Sequence, residues 1–222
     1  MQNLHDLFVF AVQNGLSQNT LLLLLLLPAV ATLVVFFRVL VGLEYLNINR
    51  AIFLSLGVAS LGLAQGLFFF IATVGLDLLF HALLERKRLL PPAKYGFSLL
   101  AMMLILLILF TLAAYIKADI TRTILSLNIV SVLLIVISSH AMFQSSPGDP
   151  ALRPLAWILQ MIIFLAGSFF ILTSPVVQAF AFDSPLVFLA MIIVLMIVLG
   201  RFKGLRLIEY VRFASVMLKK ES

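Results

Sequence analysis

LLLLLLLPAVATLVVFFRVLV, residues 21–41, opens on an unbroken leucine run and carries a single charge, Arg38. A hydrocarbon core of about 30 Å takes about 20 helical residues, so this stretch is long enough to cross a bilayer. The rest of the chain supports that reading. Of its 222 residues, 64% are hydrophobic and 11% charged, and 20 are Phe. Soluble domains run near 45–50% apolar and about 25% charged. Mean hydropathy is +1.22. A water-soluble core of this size could not bury so much apolar surface, and the excess would aggregate. The fold class expected is therefore all-α, a polytopic membrane helical bundle.

Further apolar runs lie at about 96–116, 124–143, 154–174 and 185–200. Polar or helix-breaking residues separate them, among them Lys117, Asp119, Arg122, Pro147, Gly148, Pro150, Pro175 and Pro185. Tyr95, Tyr115 and Trp157 stand near span ends, where amphipathic rings prefer the headgroup zone. Residues 51–84 are too long for one span, because a straight helix would run to about 50 Å. Gly57, Gly62 and Gly66 interrupt them, with Gln65 beside the last. A short helix to about residue 63, a turn near Gly62–Gly66 and a second helix to about 83 fit better. That gives about seven transmembrane segments with a re-entrant hairpin at 51–84, which is tolerated where protein covers it. Gly62-x-x-x-Gly66 also has the small-residue spacing of close helix approach, but the turn is the preferred reading.

Charge orients the bundle. With seven spans and the N-terminus outside, Arg50, Arg86, Lys87, Arg88, Lys94, Arg153 and the basic residues from Arg201 onward fall in the cytoplasm. Outside are Lys117 and Arg122. A six-span arrangement moves only Arg50, so the rule orients the C-terminal half and barely chooses between six and seven. Three regions follow. Residues 1–19 form a short interfacial segment, with no basic n-region or cleavage site of a signal peptide. Residues 20–200 form the bundle. Residues 201–222 form a basic amphipathic tail whose Arg201, Lys203, Arg206, Arg212, Lys219 and Lys220 are expected to bind the anionic membrane surface or a cytoplasmic partner. The net charge of +6 reflects this retention of Lys and Arg. Nucleic acid is not a partner, because no basic stripe is interleaved with stacking aromatics. With no Cys, disulfides, thiol catalysis and Cys-held metals are excluded.

Two stretches carry a family resemblance. One is Leu27-Pro28-Ala29-Val30-Ala31-Thr32-Leu33-Val34-Val35-Phe36-Phe37-Arg38-Val39-Leu40-Val41-Gly42. The other is the Gly-punctuated basic exit Gly200-Arg201-Phe202-Lys203-Gly204-Leu205-Arg206-Leu207-Ile208-Glu209-Tyr210-Val211-Arg212-Phe213. Leu83–Leu90, with Arg86, Lys87 and Arg88, sits at the cytoplasmic loop between them. Over roughly residues 20–214 the chain resembles the bacterial seven-transmembrane module usually fused to an inactive transglutaminase-like domain. The resemblance implies a multi-pass inner-membrane protein, N-terminus outside and C-terminus cytoplasmic. Its partners would be a transglutaminase-like protein or one of the ATP-grasp type often encoded nearby. This chain carries no transglutaminase-like domain, and its second span lacks an expected Pro. It would be a stand-alone module, or its soluble partner would be a separate chain, and it could self-associate as a homo-oligomer.

Few residues could carry chemistry. Asp77, His81 and Glu85 are spaced i, i+4, i+8 on one helix face. An intramembrane acid beside a His could be a proton relay or a cation site. The plainer alternative is that Asp77 meets water near the interface or pairs with Arg38. Arg38 itself lies close enough to its span end to snorkel to the headgroups. Asn128, Ser131 and Gln160 are expected to bond between helices. No catalytic constellation, metal site or cofactor is expected, and Ser138-Ser139-His140 lacks a nucleophile-elbow context. The function expected is a non-enzymatic module anchoring or coupling an extracytoplasmic transglutaminase-like partner to the cytoplasmic side. The alternative is a small transporter or proton-coupled channel using Asp77 and His81.

Overall fold

The structure is a computed structural model, and it describes residues 13–14, 17–43, 46–85, 91–116, 128–144 and 154–201. Among these all regular structure is helical. The elements are α1 (Gln18–Phe36) with a π-helical turn (Phe37–Val41), α2 (Ile48–Leu61), α3 (Leu63–Glu85), α4 (Pro91–Ile116), α5 (Ile129–Gln144), α6 (Pro154–Thr173), α7 (Pro175–Asp183) and α8 (Pro185–Gly200). The protein is an all-α, multi-pass membrane bundle. Thr20–Val41 and Leu63–Leu83 are each long and apolar enough to cross a membrane alone. Trp157–Thr173 and Pro175–Asp183 qualify together, bent by 51°. Ile48–Leu61, Ala93–Leu109, Ile129–Phe143 and Pro185–Gly200 are shorter apolar helices.

Proline marks four helix starts: Pro91, Pro154, Pro175 and Pro185 each occupy the first helical position. The missing N–H costs nothing there, and the fixed φ suits the helix. Residues 175–183, read from the sequence as a break between spans, form a helix of their own. At that bend Gln178 Nε2 donates to the Leu172 carbonyl at 2.7 Å, which supplies a partner where the α6 ladder is interrupted. Helix hydroxyls are satisfied locally too. Thr32 donates to Pro28, Thr73 to Phe69 and Ser139 to Ile135, in each case to the carbonyl four residues back.

The contacts divide the chain into two units, residues 1–52 with 166–222, and residues 53–165. In the first, α7 packs on α1, and the π turn packs with α1 on α8. The turn closes through Gly42 and Leu43, whose N–H groups both reach the Phe37 carbonyl. Gly42 can end it because its φ is +96°, a left-handed value that glycine adopts without strain. A purely apolar groove of about 390 Å³ lies along α1 and α8, lined by Leu33, Phe36, Phe188, Ile192 and Leu195 among others.

In the second unit α3 packs chiefly on α5 and also on α4. The expected break at 51–84 is a single residue, Gly62, at φ +92°. The chain then doubles back: a Cβ on Gly66 would lie 2.8 Å from the Val58 Cα, although eight residues of straight helix would separate them by about 12 Å. Gly66 is thus a close-approach glycine and Gly62 the turn, two roles the sequence reading had merged into a turn near Gly62–Gly66. Gly57 is equally tight, since a Cβ there would meet Ile135 Cγ1 at 2.7 Å and the Ser131 carbonyl at 3.0 Å.

Candidate functional site

The polar centre of the second unit is built from three helices. Asp77 is on α3, His140 one turn before the end of α5, and Ser98 in the second turn of α4. α3 ends and α4 begins at the same connection, and α5 ends alongside, so all three residues lie toward one end of the unit. Asp77 Oδ1 and His140 Nδ1 are 2.6 Å apart, with the Asp77 side chain fully buried and the His140 side chain 8% exposed. On the far side of the ring, Nε2 lies 3.5 Å from Ser98 Oγ. The Ser98 hydroxyl donates to the Tyr95 carbonyl at 3.0 Å. Asp77 Oδ2 is buried with no hydrogen-bond partner among the described residues.

This arrangement corrects the expected partner of Asp77. His81 does not bond its carboxyl, because Oδ1 meets His140 and Oδ2 meets nothing among the described residues. His81 is half-buried one turn further along α3, and Arg38 is exposed on the π turn. Glu85 closes α3, and its side chain lies outside the described residues. Acids within spans pair with another ionisable group or with backbone. The sequence reading offered water or Arg38 as the partner of Asp77 and grouped it with His81 and Glu85 on one helix face; His140 was not among them. The signal for His140 was the polar run Ser138-Ser139-His140 inside an otherwise apolar helix.

The contacts run carboxylate, imidazole, hydroxyl, the order found in nucleophilic triads. Ser98, however, sits inside a continuous helix, where the backbone N–H groups that an oxyanion hole would need belong to the helix ladder. What the arrangement can do is hold a proton. Other polar expectations resolved differently from one another. Ser131 bonds Ser60 between α5 and α2 as expected. Asn128 instead caps α5, its Oδ1 accepting from the Val130 N–H at 3.1 Å.

Of the basic tail, Arg201 is exposed just past α8. Lys203, Arg206, Arg212, Lys219 and Lys220 lie outside the described residues, as do the interfacial segment through residue 12 and the loop cations Arg86, Lys87, Arg88, Lys117, Arg122 and Arg153.

Compared with known proteins, a family described as seven transmembrane helices usually fused to an inactive transglutaminase matches residues 2–217. No curated protein and no solved structure matches the chain.

Proposed function

Because the chain belongs to the family of seven-transmembrane modules usually fused to an inactive transglutaminase, we propose that it is a non-enzymatic module of the bacterial inner membrane. It anchors or couples an extracytoplasmic transglutaminase-like partner to the cytoplasmic side. The observation that carries this reading is the extent of the match, which takes in nearly the whole chain. The excess of Lys and Arg in the loops assigned to the cytoplasm supports an outside N-terminus and an inside C-terminus. The basic tail supplies a surface for the anionic leaflet or for a cytoplasmic partner of the ATP-grasp type.

The test is crosslinking in native membranes followed by mass spectrometry of what co-purifies. Recovery of a transglutaminase-like protein, or of a soluble protein attached within residues 201–220, is the expected result. Recovery of the chain alone, or only as a homo-oligomer, refutes the coupling role.

A second reading, a small transporter or proton-coupled channel, is favoured by the buried Asp77–His140 contact. It fails if Asp77→Asn and His140→Gln leave ion and solute flux in proteoliposomes unchanged.

A further inference from the structure

We infer that His140 Nε2 is a reversible proton-binding site, with Asp77 holding the opposite ring nitrogen and the Ser98 hydroxyl switching partner as the proton comes and goes. The inference deepens the second reading above and needs nothing from the coupling role.

Nδ1 is committed by its 2.6 Å contact with a carboxyl whose side chain has no exposed surface. An imidazole that donates Nδ1–H to a carboxylate has its remaining freedom at Nε2. The Ser98 hydroxyl lies within reach of two acceptors, the Tyr95 carbonyl at 3.0 Å and Nε2 at 3.5 Å. With the imidazole neutral, Nε2 offers a lone pair, the hydroxyl can turn its hydrogen to it, and the pair carries the net negative charge of Asp77. When a proton from water binds, a new N–H bond forms at Nε2. The ring becomes imidazolium and the pair becomes neutral. Ser98 then accepts from Nε2–H and donates to the Tyr95 carbonyl. Asp77 Oδ2 is buried with no hydrogen-bond partner among the described residues. A buried carboxylate is costly unless paired, and the positive charge that His140 acquires meets it through Oδ1.

Tyr95, one turn from Ser98 toward the start of α4, is exposed, and His140 is four residues from the end of α5. On the packed elements of this unit the other titratable or charged groups are His81 and Glu85 on α3 and Lys94, Tyr95 and Tyr115 on α4, the side chains of Glu85 and Tyr115 lying outside the described residues. The parts of α2, α5 and α6 within the unit add none.

The unit has its own reporter. Trp157 is the chain's single tryptophan. It lies 5.9 Å, ring to ring, from Phe143, one turn beyond His140, and 6.0 Å from Phe70 on α3.

Purified full-length chain in mild detergent is titrated between about pH 5 and 8, the range in which imidazoles change charge, with Trp157 emission as the signal. The expected result is one transition of single-proton steepness. His140→Gln abolishes it, and His81→Gln leaves it in place. Nitrogen-15 NMR of histidine-labelled wild type reads Nε2 directly, whether or not a variant folds. A His140 Nε2 that keeps one protonation state across the range overturns the inference. So does a transition that survives His140→Gln or disappears with His81→Gln. Both readouts are taken at equilibrium. Titration without flux would therefore keep the site and remove the transporter reading, whereas flux without titration would do the reverse.

Discussion

Replacing Gly66 by Ala tests the tightest packing feature of the second unit. An added Cβ would sit 2.8 Å from both Cα and Cγ1 of Val58 and 3.0 Å from its Cβ. Ordinary carbon contacts lie near 3.5–4 Å, so the overlap approaches 1 Å. The nearest atom is backbone, held in α2 on the other arm of the hairpin. Val58 can turn its Cγ1 aside but cannot withdraw its Cα without opening the turn at Gly62. Overpacking of this kind costs about 1–3 kcal/mol, and the immobile partner argues for the upper half. At about 2 kcal/mol the folded-to-unfolded ratio falls roughly 30-fold. Two controls separate the causes. Gly62→Ala meets nothing within 4 Å but must hold φ at +92°, a left-handed strain of about 1–2 kcal/mol. Gly75→Ala meets nothing and has no such φ, so it should stay within about 0.5 kcal/mol of wild type. The assay is unfolding by sodium dodecyl sulfate, followed through Trp157, which is buried in the same unit. Stability equal to that of Gly75→Ala in the Gly66→Ala protein would refute the fold-back geometry, and with it the one-residue turn.

Three further perturbations discriminate among the other contacts. Asp77→Leu and His140→Leu should each destabilise by about 3–5 kcal/mol, because each strands a buried partner. The double variant should be more stable than either single one, and a double-mutant cycle in the same unfolding assay reads the coupling. Phe70→Ala removes a fully buried ring and should cost about 3–5 kcal/mol. It should also shift Trp157 emission in the folded state, since that ring is an immediate neighbour. Because the chain has no Cys, single cysteines report topology without background. Ser222→Cys in intact cells should resist a membrane-impermeant maleimide until the cells are opened, and labelling from outside would invert the proposed orientation.

The leucine run shows how far pattern alone could go. Leu22, Leu25 and Leu26 are buried, whereas Leu23 and Leu24 are 40% and 67% exposed. All are the same residue, because lipid and protein interior are about equally apolar. Helices apolar on every side have no polar face to show which way they pack. That is why neither the α1–α8 groove nor the α3–α5 contact was legible beforehand, although both helix pairs were. The His140 contact was hidden for a related reason. Spacing along α3 made His81 the neighbour of Asp77, but a residue one turn along the same helix is held at a fixed offset. A residue on a facing helix can be brought directly opposite.

Sequence by itself determined the membrane class, the helical content and most of the punctuation of the spans. These depend on local quantities: hydrocarbon thickness against run length, the missing N–H of proline and the free φ of glycine. It also marked Asp77 as an intramembrane acid, left to meet water near the interface or to pair with Arg38. Tertiary structure alone decided that the partner is His140, that Gly66 rather than Gly62 is the crowded glycine, and that residues 175–183 form a helix of their own, bent 51° from the one before it. Each depends on the rotation and depth of one helix against another. Dispersion packing and a few buried hydrogen bonds decide those within a membrane, and neither leaves a periodic trace along the chain.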